Sequence, residues 1–466
     1  QNEKRAKVGV SRFVAEMLNK GTRTRSAAKI AEDIDFAGGS LAASADYDGT
    51  YISCQVMAKN LRTCISLLPD VVANPVFPKG EMPTVREALM AEVRGRRDNG
   101  GPLATGHFAN TLWGENHPRG WIMSATNVQG MTKADLSAWH KAWFKPNNAI
   151  LAVAGDVDPK KLKRDLDRAF ARWRRGKVPA VSDASPRELS GFRIRLVDKP
   201  DQTQSHIRVG HFGLALGDRD FYDALIYNYA LGGGAFSSRL MKVVRSDAGK
   251  TYGASSRFSK DKTRGSFWIT TFTRNAETKA TIDLLLQELG KMAERGPTGT
   301  EVADAIANIS GSYSTSFQSA DAHATALLGA ELAGFGDDYV RNYALKVGAV
   351  TSESSAAAAR SRLDPKNLVI VIVGAAKDVR PQLDKAGWKY EVVDYMDPIA
   401  DYERKAMAEQ QNAAVSKAEQ AKAVAVLEQA LAKKGGAKLA KVKSLKLYAD
   451  ATLAVGPQTV PVEMNR

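Results

Sequence analysis

Histidine is scarce in this chain and cysteine scarcer: 466 residues hold six histidines and two cysteines. Cys54 and Cys64 lie ten apart, with no Cys-x-x-Cys or Cys/His spacing around them, which excludes zinc-ribbon and thioredoxin-like redox chemistry. Core packing is the expected role of both, and a disulfide between them is the less favoured reading. The histidines, His107, His117, His140, His206, His211 and His323, form no His-x-x-x-His pair, so no helix here presents two imidazoles to one metal ion. No apolar run approaches the ~20 residues of a membrane span.

What is present reads as an ordinary globular protein. Hydrophobic residues make up 44% and charged residues 25%, and the length suits two domains of about 200 residues. The formal net charge is +15, with short basic clusters such as "RGRRDN" (94–99) and "RWRRGK" (172–177). Neither aromatic interleaving nor an RNA-binding motif accompanies them, so they read as solvated helix faces and nucleic acid is not an expected partner.

The chain repeats itself. "FKPNNAILAVAGDVDPKKLKRDLDRAF" (144–170) reads as a Pro-Asn turn, a buried strand, a Gly-Asp turn and an amphipathic helix. "LDPKNLVIVIVGAAKDVRPQLDKAGW" (363–388) follows the same grammar about 220 residues later, as a domain duplication would. In the first copy the patterns predict helices at 8–20, 26–37, 60–72, 84–98, 133–143 and 158–172, a strand pair in "SLAASAD" and "TYISCQVM", and a strand at 149–154.

The second copy predicts strands "RIRLVDKP" and "SHIRVGHFG", helices at 220–231 and 237–246, the pair "TYGASSRF" and "SFWITTFT", and strands "NLVIVIVG" and "YEVVDY". Hairpin-connected strand pairs with helices between them indicate α+β: two homologous domains, each a mostly antiparallel sheet with helices on one side.

The expected organisation is a first domain at 1–175, a polar linker at 176–191, a second domain at 192–397, a helical connector at 398–435 and the start of a β-rich segment at 436–466. The second copy has two strands before its first long helix and the first has none. A strand pair upstream of Gln1, in a longer precursor, is therefore expected.

Six stretches, "VGVSRFVAEMLNKGT", "AEDIDFAGGSLAASADYDGTYISCQV", "LLPDVVANPVF", "REALMAEVRGRRDN", "FKPNNAILAVAGDV" and "GGGAFSSRLMKVVRSDAGKTYGASS", resemble in this order the pitrilysin/insulinase family of inverted zinc metallopeptidases. The resemblance covers about residues 8–395. It implies half of a clam-shell that encloses unfolded peptides. In the active half of such an enzyme a first helix carries His-x-x-Glu-His, a distal Glu completes the zinc site, and the motif Glu activates the bound water.

Set against that motif, "RFVAEML" places Arg12 and Glu16 at the two histidine positions and Ala15 at the general base, with Glu92 at the distal-ligand position. Two carboxylates, an arginine and no histidine make a poor zinc site, so an ion pair in place of the metal is expected, with no metal in this chain. The second copy is different. In "SSRLMKVVRSDAGKTY", Arg245 and Tyr252 are spaced like the Arg/Tyr pair that the half opposite the zinc contributes, where the two contact substrate and stabilise the oxyanion.

The bland alternative is a surface Arg245–Asp247 pair and a strand tyrosine. "GGGAFSSR" lacks the Gly-Lys-Ser/Thr ending of a phosphate loop, and its glycines suit close packing or a turn.

The expected function is the non-catalytic half of a two-part zinc peptidase, inactive alone and dependent on a His-x-x-Glu-His partner that holds the zinc. The alternative is a proteolytically inactive structural or binding subunit of the same fold. The resemblance points to a bacterial periplasmic or envelope setting.

Overall fold

The computed structural model describes residues 2–181, 186, 188–405, 424–426, 428–429, 432–433, 448–455 and 458–465. Residues 182–185 and 187 of the expected linker, most of the expected connector and residues 436–447 lie outside the described residues. The chain divides into two compact units at Arg404/Lys405. In the second unit, β9 (Tyr448–Val455) and β10 (Gln458–Asn465) form an antiparallel hairpin.

The first unit opens with helix α1 (Val10–Met17), whose Val10, Phe13, Val14 and Met17 recur at helical spacing and are all buried. Glu3 supplies its cap, accepting from the backbone N–H groups of Gly9 and Ser11 at 2.7 and 2.8 Å. After α2 (Ala27–Phe36), strands β1 (Ser40–Ala45) and β2 (Thr50–Gln55) make an antiparallel pair. Helices α3 (Leu61–Ala73), α4 (Met82–Asp98) and α5 (Gly100–Trp113) follow. The side chains of α1 and α4 meet in one cluster that includes Phe13, Met17, Val85 and Leu89.

A six-stranded mixed sheet dominates the later residues, in the order β5-β6-β4-β7-β3-β8. Its strands are β3 (Phe192–Asp198), β4 (Gln204–Phe212), β5 (Ala254–Phe258), β6 (Ser266–Arg274), β7 (Leu368–Gly374) and β8 (Glu391–Asp394). β3 runs parallel to β7 and β8, and the other pairings are antiparallel. The α+β class expected from the hairpin grammar is the class observed, and the central strand shows why both its faces are apolar.

Leu368, Ile370 and Ile372 of β7 point into the cluster made with the helices Thr278–Arg295, Ser352–Arg362 and Ala376–Lys385. Val369, Val371 and Val373 point the other way, against Leu103, Phe108 and Leu112 of α5. A helix from the first half thus covers the second face of the later sheet.

Two expectations need correction. The stretch 149–154 belongs to no ladder, and its Ile150, Leu151 and Val153 are exposed. A strand is defined by its neighbours, and no described residues pair with this one, whereas its repeat β7 lies between β4 and β3. The second correction concerns the cysteines: Cys54 on β2 and Cys64 on α3 are joined in a disulfide, their Cα atoms 5.7 Å apart. The strand–turn–helix path folds back on itself within ten residues and brings the two Cβ atoms face to face. Among the described residues no helix is long and apolar enough to cross a membrane.

Candidate functional site

On α1 the apolar stripe faces the core, which leaves Arg12 and Glu16, one turn apart, on the exposed side. Ala15 is buried and offers only a methyl group. Arg12 Nη1 donates to Glu92 Oε1 of α4 at 2.8 Å. The structure therefore brings Arg12 and Glu92 together, and Glu16 takes no part in that contact. The pair lines an open cavity of about 430 Å³ whose walls include Arg96, Arg119, Tyr47, Trp113 and Trp121. Arg96 donates to the Met123 carbonyl at 2.9 Å, and burial lowers its pKa from the ordinary value, with Glu92 opposing and Arg12 adding to the shift.

Zinc does not fit this donor set. A guanidinium occupies one ligand position, Glu92 is engaged with it, and the base position lacks a titratable group. Among the described residues no three His, Cys, Asp or Glu side chains converge as metal ligands. Two of the histidines serve elsewhere: His140 Nε2 lies 2.7 Å from the Val72 carbonyl, and His211 is buried against Phe267 with its Nδ1 at the Phe212 carbonyl.

Arg245 and Tyr252 meet on the other half. The helical segment before them, Tyr229–Gly233, contains Gly232, where a Cβ would fall 2.4 Å from the Ser256 amide nitrogen, so the glycine permits close backbone packing. Ala235 holds a left-handed φ of 48°, unfavourable for a residue with a side chain, and Phe236 follows it. The chain then winds through a π-helical segment, Met241–Asp247, of the wide-turn kind often found at functional sites. Met241 and Val244 anchor this segment in the core and leave Arg245 half-buried beside them. Gly249, at φ 60°, turns the chain back, and Tyr252 lies just before β5 rather than within it.

The Arg245 guanidinium carbon sits 5.1 Å from the centre of the Tyr252 ring and 4.8 Å from that of Phe236. Both rings face water, Tyr252 at 77% and Phe236 at 73% exposure. Among the described residues Arg245 forms no ion pair, and the Asp247 pairing of the bland reading is not made.

The exposed tyrosine stands on a rigid base. Thr271 Oγ1 donates to the Gly253 carbonyl at 2.9 Å, Thr273 Oγ1 to the Lys250 carbonyl at 2.6 Å, and Lys250 pairs with Glu277 at 2.7 Å. A phenol and a guanidinium with free donors, side by side on fixed backbone, can hold a carbonyl or a developing oxyanion. Phe236 was not among the residues singled out from sequence; its signal was an aromatic directly after a glycine run and one small residue.

A family model described as "Peptidase M16 inactive domain" matches residues 130–309, and one described as "Insulinase (Peptidase family M16)" matches residues 1–123. A protein named as an uncharacterized zinc protease of Streptomyces coelicolor is 27% identical over 376 residues, covering 79% of this chain and 81% of that one. Another so named, from Bacillus subtilis, is 25% identical over 314 residues, covering 67% and 75%.

Among solved structures, the peptidase M16 inactive domain from Pseudomonas fluorescens superposes with a TM-score of 0.73 at 24% identity, covering 78% of this chain and 88% of that one. A protease from Helicobacter pylori gives 0.73 at 19% identity, covering 80% and 91%. At these identities the superpositions establish the fold.

Proposed function

The chain belongs to the insulinase family of peptidases, M16, and from that premise we propose that it is the non-catalytic half of a two-part zinc metallopeptidase. The observation that carries the reading is an asymmetry. The zinc positions are rewritten as an Arg12–Glu92 ion pair beside Ala15, while the half-buried Arg245 and the exposed Tyr252 touch each other on a backbone tied to the sheet.

In this reading a partner carrying His-x-x-Glu-His binds zinc and hydrolyses unfolded peptides, and the chain alone is inactive. Arg245 and Tyr252 hold the substrate backbone and donate to the oxyanion that forms at the partner's site. The Cys54–Cys64 disulfide supports an oxidising compartment, such as the bacterial periplasm or envelope.

The test is hydrolysis of oxidised insulin B chain by this chain, by a His-x-x-Glu-His partner, and by both together. Activity is expected only with the partner present. Arg245→Ala and Tyr252→Phe should each lower kcat about 10²–10³-fold, the usual cost of one oxyanion donor, at unchanged melting temperature. Chelator-sensitive hydrolysis by the chain alone would refute the reading. Unchanged rates in both variants would leave a structural or binding subunit instead.

A further inference from the structure

The Arg245 guanidinium is flanked by two aromatic rings, and only one of them was expected. Phe236 lies 4.8 Å from its carbon, closer than Tyr252 at 5.1 Å. Large aromatic side chains normally bury their surface, yet Phe236 leaves 73% of its own in water. Its place is not a product of slack chain. Gly232 packs against Ser256, Ser237 Oγ donates to the Gly234 carbonyl at 2.7 Å, and Ser238 Oγ to the Ala235 carbonyl at 2.7 Å. Between these ties Ala235 keeps its left-handed φ of 48°, a conformation with a cost that the surrounding bonds maintain.

A loop with a left-handed alanine, tied by two serine hydroxyls, thus holds an aromatic ring out of the core beside an arginine with no carboxylate partner among the described residues. The ring's inner face steadies the guanidinium through its π electrons. Among the described residues its outer surface has no aromatic or cationic partner.

We propose that Phe236 is a third substrate-contacting residue of the Arg245–Tyr252 site and determines its specificity: its outer face receives a large apolar side chain of the peptide whose backbone Arg245 and Tyr252 hold. The site therefore selects unfolded peptides with an aromatic or large aliphatic residue next to the held segment. This rests on the substrate-contact reading of Arg245 and Tyr252 given above.

The probes are fluorescein-labelled twelve-residue peptides of Gly, Ser and Asn with one central Phe, Leu or Ala, titrated with the full chain by fluorescence anisotropy. The Phe peptide is expected to bind about tenfold tighter than the Ala peptide, the effect of half-burying one large apolar side chain, with Leu between them. Phe236→Ala should bring the three to within about twofold of one another, and Phe236→Trp should keep the preference. Arg245→Ala should weaken all three by a common factor. Because Phe236 is exposed, Phe236→Ala should melt with the native chain.

Equal binding of the three peptides by the native chain, or a preference that survives in Phe236→Ala, would overturn the proposal. The two readings fail separately: Arg245 and Tyr252 variants that leave a partner's hydrolysis untouched refute the catalytic role, while the Phe/Ala binding ratio judges Phe236.

Discussion

Arg195 ties three segments of the first unit together, and its loss should destabilise the fold. It stands on β3 with its side chain almost wholly buried. Its Nε donates to Glu391 of β8 at 2.9 Å, one Nη to Asn110 of α5 at 2.9 Å and the other to Asp401 at 3.2 Å. Breaking a buried ion pair by removing one partner costs ~3–5 kcal/mol. Here Glu391 and Asp401 keep 49% and 40% side-chain exposure and Arg404 pairs with both, so they rehydrate and remain partly neutralised. Asn110 retains two contacts through its Nδ2, donating to Glu115 at 2.8 Å and to the Gly120 carbonyl at 3.0 Å.

The lower end, about 3 kcal/mol, is therefore expected for Arg195→Ala. Spread over the unfolding entropy of some 400 residues, that is a fall in melting temperature of about 3–4 °C. Circular dichroism melts of the native chain and the variant measure it. Melting within about 1 °C of the native chain would show that the network does not tie α5 to the sheet, and the reasoning would fail.

Two further outcomes follow from burial and covalent linkage. His211 has its Nδ1 2.7 Å from the Phe212 carbonyl and its Nε2 3.3 Å from the Asp364 N–H, an arrangement the neutral ring satisfies. Burial pushes its pKa down to about 4, well below the ordinary value near 6.5. The unfolded chain thus takes up this proton first, so the stability His211 contributes is full above about pH 6.5 and is lost as pH falls toward 4. Melting temperatures from pH 7 to 4.5 should fall less steeply in His211→Asn than in the native chain, and parallel curves would contradict this. The Cys54–Cys64 bond closes a short loop, and a Cys54→Ser/Cys64→Ser chain should lose about 3 kcal/mol, read from denaturant midpoints with and without reductant.

How much of this was legible depended on whether the information was local. The apolar spacing of Val10, Phe13, Val14 and Met17 announces α1, and the unbroken apolar run from Leu368 to Val373 announces a strand buried on both faces. The 3.6-residue period failed for α5. Its "GGPLATGHFANTLW" opens with two glycines and a proline and carries buried residues on several sides, because it is wedged between layers rather than laid on one.

The 149–154 segment has the composition of β7 but not its neighbours, and pairing is a property no single strand encodes. The disulfide needed the distance between β2 and α3, which spacing alone does not supply. At the candidate site, Arg12, Glu92, Arg245 and Tyr252 were reachable from motif register. Phe236 needed the loop geometry that turns it outward.

The packing of α5 beneath β3 and β7 has a consequence for dissection and for motion. The polar stretch at 176–191 looks like a place to cut, yet a fragment beginning there would bare Val197, Val369, Val371 and Val373 to water, and the fragment before it would bare Leu103, Phe108 and Leu112. Each piece alone is expected to lose the apolar cover that the other supplies. The same interlock means that separating the two halves of the first unit would expose this shared cluster. Domain-by-domain expression, or swapping one half for that of a relative, has to carry α5 along with the sheet it covers.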